Sequence, residues 1–211
     1  MPSEREALEQ EIRVHCETGD VRSAAAAAIR GYGPEIFGFL VAFHRRDEDA
    51  AEVFSRFSEN LLRGIPGFAW HCSFRTWAYA VARNASITYR RQAKKHAATH
   101  VPLPDGSQLS ALEQPVRTDT ASFLRTERKA RIHALRESLT AEDQELLVLR
   151  VDKRLPWNDL VRVLHEHEGP LGDDAMRREA ARLRKRLQLI KEKLHELGRR
   201  EGLLKDRGDD D

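Results

Sequence analysis

Between Asn60 and Pro104 the chain has no aspartate and no glutamate. Elsewhere acids and bases mix freely, with 34 acidic and 36 basic residues overall. A one-signed segment inside a nearly neutral chain excludes the ordinary solvated surface there. Its field acts locally, within about 10 Å at 0.1 M salt. Cysteine is also scarce: Cys16 and Cys72 are the only two, which argues against a disulfide scaffold and fits a reducing compartment. The start, MPSEREALEQ, lacks the apolar core of a secretion signal. No apolar run approaches the roughly 20 residues of a membrane-spanning helix. A cytoplasmic chain is therefore expected, with no membrane insertion. No P-loop, Gly-x-Ser-x-Gly, HExxH or dinucleotide fingerprint occurs, so nothing supports catalysis or a cofactor. His15-Cys16 and His71-Cys72 lack zinc-ligand spacing, and no metal is expected. Strand-like alternation is missing as well, and the apolar periodicity is helical throughout.

The acid-free stretch holds Arg63, Arg75, Arg83, Arg90, Arg91, Lys94 and Lys95. It also holds Phe68, Trp70, Phe74, Trp77, Tyr79 and Tyr89. Cations can hold phosphates while aromatic faces stack on unpaired bases, which makes nucleic acid the leading partner. Trp77 by itself reads as core, and Asn84 by itself as a solvated polar residue. The segment points to a polyanion only as a unit.

Along the chain, residues 4–30 read as one helix stopped by Gly31, and Pro34 suits the first turn of the next, to about His44. Asp47 or Asp49 is placed to cap a third helix reaching Arg63. Ser73 caps a fourth, from Phe74 to Lys95. From His96 to about Thr120 the periodicity dissolves among Pro102, Pro104, Gly106 and Pro115, as in a linker. Helicity resumes over 121–138. Thr140 then starts a helix with Leu146, Leu147, Leu149 and Val151 on its core face, Leu155-Pro156 breaks it, and Trp157–His165 forms a short one. Gly169–Gly172 reads as a turn and Asp173 as the cap of the last helix, to Leu197. Met176, Ala180, Leu183, Leu187, Ile190, Leu194 and Leu197 form its apolar stripe. Helix, short helix, turn and basic helix over 140–198 have the layout of a helix-turn-helix. Arg177, Arg178 and Arg182 are placed to reach bases or phosphates, and Lys185 and Arg186 to meet backbone.

These residues resemble a family. SFRTWAYAVARNASITYRR (Ser73–Arg91) is similar to the promoter-melting segment of bacterial sigma factors of the sigma-70 family, extracytoplasmic-function type. Tyr32–Phe43 and Asp49–Gly64 look like the two preceding helices of that domain. Leu139–Leu164 and Asp173–Leu187 resemble the family's C-terminal domain with its minus-35 recognition helix. The resemblance implies an all-α chain of two small helical domains on a flexible linker. The segments are an N-terminal extension (1–20), a domain 2-like bundle (21–97), a linker (98–125), a domain 4-like helix-turn-helix (126–200) and an acidic tail (201–211). It implies minus-10 contacts from Trp70, Ser73, Phe74, Arg75, Arg83, Asn84, Thr88, Arg90, Arg91, Lys94 and Lys95. Asn84 would help hold a flipped base, with the loop 67–73 forming its pocket. Minus-35 contacts would come from Arg177, Arg178, Arg182, Lys185 and Arg186. Core RNA polymerase, through its beta and beta-prime subunits, would dock on Glu52, Ser55, Arg56, Glu59 and Asn60. Promoter DNA is the second partner and an anti-sigma factor a candidate third. Two alternatives are a helix-turn-helix regulator acting without polymerase and a helical protein-interaction adaptor.

Overall fold

The structure, a computed structural model, describes residues 3–44, 46–99, 134–136, 138–165 and 171–203. All regular elements among them are helical. The N-terminal part comprises α1 (Glu4–Glu17), α2 (Val21–Val41), α3 (Asp47–Gly64), a 3-10 turn (Ile65–Gly67) and α4 (Phe74–Thr99). The C-terminal part comprises α5 (Ala141–Leu147), a wider π-type turn (Val148–Asp152), α6 (Trp157–Leu164) and α7 (Asp173–Arg200). The expected linker beyond Thr99, most of the helix over 121–138, residues 166–170 and the acidic tail beyond 203 lie outside the described residues, and α4 runs on through 96–99, where the linker was expected to begin.

The first helix boundary differs from expectation. Residues 4–30 are not one helix: Gly19, at φ 73°, ends α1, and the Asp20 carboxylate accepts from the Ser23 N–H to start α2. Left-handed backbone suits glycine, and an aspartate cap satisfies a free donor of the next helix. At the other end, α2 runs through both Gly31 and Pro34. A Cβ on Gly31 would lie 2.2 Å from the Leu8 side chain, so this glycine admits α1 rather than stopping α2. Pro34 is exposed, where the carbonyl freed by its missing N–H can meet water. Caps differ too. Neither Asp47 nor Asp173 caps its helix; Arg46 and Gly172 hold those positions without a side-chain bond, and both aspartates sit in the first turn. Negative charge there still favours the positive end of the helix dipole. Thr140 does cap α5, accepting from the Asp143 N–H at 3.2 Å.

Small side chains set the packing of the N-terminal bundle. Ala24, Ala25, Ala27 and Ala28 bury one face of α2, and Ala78, Ala82 and Ala85 one face of α4. Alanine costs little helix entropy and lets helix axes approach closely. Large residues fill the centre: Phe39 meets Tyr79 edge to face at 5.4 Å, with Phe57, Leu61 and Phe74 fully buried around them. In the C-terminal part, the regular stripe of α7 turns inward through Ala180, Leu187 and Ile190 against Leu146, Leu149 and Leu160.

The two parts touch. α6 packs on α4, and one continuous cluster of buried apolar residues runs from Ile12 through Phe39 and Tyr79 to Leu149, Leu160 and Ile190. α4 is thus the shared element.

The end of α3 is tightly seated. A Cβ on Gly64 would lie 2.8 Å from Cζ2 of the Trp77 ring, which is stacked on Phe68. A rigid ring in a packed cluster cannot give way cheaply. Gly64→Ala is expected to destabilise the chain by about 1–3 kcal/mol, measured by urea unfolding followed by tryptophan fluorescence.

Candidate nucleic-acid interface

Three stripes of α4 have three different surroundings. Ala78, Ala82 and Ala85 face the bundle core. Arg83, Ser86 and Arg90 lie along a second stripe. Arg83 pairs with Glu145 of α5 at 3.0 Å, both side chains being about one-tenth exposed (8% and 12%). Ser86 meets buried His44 at 2.9 Å, and Arg90 donates to the Phe43 carbonyl at 2.8 Å. The third stripe, Asn84, Thr88, Arg91 and Lys95, is exposed, with Lys94 exposed beside it. Spacings of four, three and four put those residues on one helix face. No acid lies within this sequence segment to neutralise it.

The start of α4 is bound by acids from elsewhere. Glu9 of α1 accepts from the backbone N–H groups of Phe74 at 2.8 Å and Arg75 at 3.0 Å. It also accepts from the Tyr32 hydroxyl at 2.7 Å. A carboxylate on the first free amides of a helix is favoured by both hydrogen bonding and the dipole. Burial, then the Glu9 bond, pushes the Tyr32 phenol well above its usual range. Ser73 caps from within the chain, accepting from the Thr76 N–H at 3.1 Å. Arg75 makes a two-pronged bond to Glu35 at 2.7 and 2.9 Å and donates to the Lys153 carbonyl at 3.0 Å.

The loop before α4 is a clustered aromatic surface. Phe68 stacks on Trp77 with centroids 4.8 Å apart, and Trp70 lies 4.8 Å from Phe68. Trp70 has φ 58°, a conformation that costs a bulky residue on the order of 1–3 kcal/mol. The Arg13 guanidinium covers its ring at 4.9 Å. An open cleft of about 530 Å³ separates this loop from α1, lined by Arg5, Glu9, Arg13, Trp70, Cys72 and Ser73 among others.

Placement of the expected residues is therefore divided. Asn84, Thr88, Arg91, Lys94 and Lys95 are exposed together, Ser73 is exposed at the loop end, and Trp70 is half-buried. Phe74, expected at the DNA surface, is instead wholly buried and presents no ring face to a base. Arg75 and Arg83 are buried in ion pairs, because tertiary structure supplies the acids that their own segment lacks. On α7, Arg177 and Arg182 are about 80% exposed, and Arg178 and Lys185 are exposed. Arg186 is not free: it bonds Asp143 at 2.7 Å and Glu142 at 2.9 Å, bracing α7 on α5. On α3, Glu52, Ser55, Glu59 and Asn60 form an exposed row beside half-buried Arg56, which binds Glu52 and covers the Tyr89 ring.

Sequence reasoning missed Glu9 and Glu145. Each sits in an ordinary amphipathic helix, and its partner is distant in the chain, so no local spacing marks it. Burial pushes the Glu145 carboxyl above its usual range, although Arg83 and Arg90 draw it back. Burial, followed by Arg90, holds His44 below its ordinary value. Among the described residues, no three His, Cys, Asp or Glu gather as a metal site, and no helix is long and apolar enough to cross a membrane.

Among the described residues, an exposed cationic stripe free of acids in its own segment stands beside an aromatic loop in an all-helical bundle. Residues 28–96 match the family model described as sigma-70 region 2, so this segment is similar to that region of the sigma-70 sigma factors. Sigma factors act in promoter recognition through RNA polymerase and are not themselves enzymes. Core polymerase and promoter DNA are the partners that a match to this region supports. No curated protein matches the chain.

The Glu9 carboxylate is the one acceptor on the first two amides of α4. Glu9→Ala strips both amides and the Tyr32 hydroxyl of that partner. A loss of about 2 kcal/mol or more is expected from charged hydrogen bonds of this kind, with Glu9→Gln intermediate. Thermal unfolding of the three proteins checks it.

Proposed function

We propose that the chain is a sigma factor of the extracytoplasmic-function type, reading a minus-35 element with α7 and melting a minus-10 element with α4 and the loop before it. The observation that carries this reading is the exposed row Asn84, Thr88, Arg91 and Lys95, within the segment that matches sigma-70 region 2. A cationic face can hold phosphates beside the melted strand, while Asn84 and the loop 67–73 receive an unstacked base. Unstacking costs a few kcal/mol, which stacking and hydrogen bonds to the base edge can offset. Trp70 offers an aromatic wall at the cleft.

In the second DNA contact, Arg177, Arg178, Arg182 and Lys185 project from the N-terminal half of α7 and suit a major groove and its phosphates. Arg186 is left to hold the helix in place. The outer row of α3, Glu52, Ser55, Arg56, Glu59 and Asn60, is the proposed dock for core polymerase. The assignment of 21–97 and 126–200 as the two working domains, joined by 98–125, belongs to the same reading. An anti-sigma factor remains a candidate regulator, and the cytoplasm, at the nucleoid, the place of action. The chain does no covalent chemistry; polymerase does.

A run-off assay with core polymerase tests the reading. Promoter-dependent transcript is expected on a cognate template, and none on any template would sink it. Asn84→Ala is expected to impair open-complex formation, read by permanganate footprinting, more than polymerase binding; equal loss of both would remove Asn84 from the base pocket. Arg178→Ala and Arg182→Ala should each weaken use of the minus-35 element by about 1–3 kcal/mol if they read bases. Arg186→Ala should instead lower stability. Binding to minus-35 variants, set beside thermal melts, separates the two roles.

A further inference from the structure

α1 lies outside the segment that matches sigma-70 region 2, yet it faces the loop before α4 across the cleft of about 530 Å³. Its seat is fixed. Leu8 packs where Gly31 leaves room on α2, and Glu9 holds the first amides of α4. From that seat Arg5, Gln10 and Arg13 line the cleft, all three exposed. Gln10 and Arg13, three residues apart, are neighbours on one helix face.

Trp70 forms the opposite wall. Its ring is backed by Phe68 and Phe74, with centroids 4.8 and 6.2 Å away, and covered by the Arg13 guanidinium at 4.9 Å. The guanidinium is held loosely: the Arg13 side chain is 49% exposed, and it pairs with Glu17 at 3.4 Å, itself 65% exposed. An exposed ion pair of that kind contributes little. Trp70 keeps a left-handed backbone at φ 58°, and strain of this sort gathers at ligand clamps. The charges of the cleft select its occupant. Glu6 and Glu9 place two carboxylates on its wall, engaged with the Ser3 N–H at 2.7 Å and with the amides of α4. They repel phosphate from the interior, while exposed Arg5 and Arg13 attract it outside. A neutral planar group stacked on an indole, its phosphates left in solvent, meets both conditions, and a base in a strand is such a group. The Gln10 amide offers both donor and acceptor to the edge of a base.

We propose that α1 completes a slot for one unstacked base: the base lies on Trp70 in the place that the Arg13 guanidinium holds here, Gln10 meets its edge, and Arg13 turns outward to the adjoining phosphate. A guanidinium and a base are both planar groups that stack on an indole, so Arg13 marks the position. Gln10 and Arg13 are then specificity-determining residues supplied by a helix outside the matched segment. The proposal rests on the reading of α4 and the loop 67–73 as DNA-facing made above.

The test uses the full chain and a dye-labelled single-stranded oligonucleotide of alternating thymine and 2-aminopurine. Anisotropy gives affinity and its salt dependence, and 2-aminopurine emission reports stacking. The unaltered chain should quench that emission on binding. Trp70→Leu should abolish the quenching and weaken binding by about tenfold, as for loss of one base–aromatic stack, whereas Trp70→Tyr should keep both. Arg13→Ala, a change at an exposed position, should keep the quenching but lower the slope of log affinity against log salt by about 0.7, the share of one phosphate contact on a single strand. Arg13→Lys should restore the slope. Gln10→Ala should leave the slope alone and narrow the spread of affinity among dA, dT and dC homo-oligomers. Binding without quenching by the unaltered chain overturns the slot, as does an unchanged slope in Arg13→Ala. Displacement of the strand by an equal concentration of free dAMP also overturns it, in favour of a nucleotide site. If Trp70→Leu loses affinity and Arg91→Ala does not, the slot stands and the assignment of the α4 outer row to DNA fails. No binding by the unaltered chain overturns both.

Discussion

Placing Arg83 and Glu145 in a seam removes two charges from water, and that desolvation sets the terms for the whole molecule. A buried ion pair gains little over an apolar contact of the same size, yet loss of either partner is costly. Such a pair specifies one docked arrangement without making it deep. α4 is the element on which this balance acts, because it packs on α2 and α3 by its alanine face and on α6 by the face of Arg83. Everything C-terminal to the linker takes its position from that second contact.

The acid-free segment is completed in three dimensions by acids from outside it. Glu35 binds Arg75, Glu145 binds Arg83, Glu9 binds the first amides of α4, and Asp49 accepts from the Tyr89 hydroxyl. Part of the charge segregation seen along the chain is therefore a folding device: a cationic helix collects carboxylates from three other helices of the bundle and its neighbour. What stays exposed is narrower than the sequence suggests, an outward row from Asn84 to Lys95.

Helix identity was legible wherever apolar spacing was regular, as in the α7 stripe from Met176 to Leu197, and the Thr140 and Ser73 caps were legible from their hydroxyls. Boundaries set by tertiary packing were not. Gly31 and Pro34 look like a helix end until α1 lies against the glycine and solvent meets the exposed proline. In the candidate site, exposed residues such as Asn84 and Arg91 could be read from the segment's composition, whereas the burial of Phe74, Arg75 and Arg83 could not. Whether an arginine faces water depends on an acid as distant in sequence as Glu145, and single-chain spacing carries no record of that pairing. Arg186 makes the same point: it sits in the same basic run as Arg182, yet two acids of α5 turn it into a brace.

The two proposed DNA-facing surfaces are unequal in this arrangement, and the inequality has a physical consequence. Arg177, Arg178 and Arg182 of α7 stand in water, where long-range charge can steer a polyanion to them. The covered face of α4 cannot be reached in this way, because its cations are already paired and its approach is occupied by α6. On the proposed reading, duplex contact through α7 and strand contact through the outer row of α4 need no rearrangement, whereas Arg83 stays engaged with Glu145.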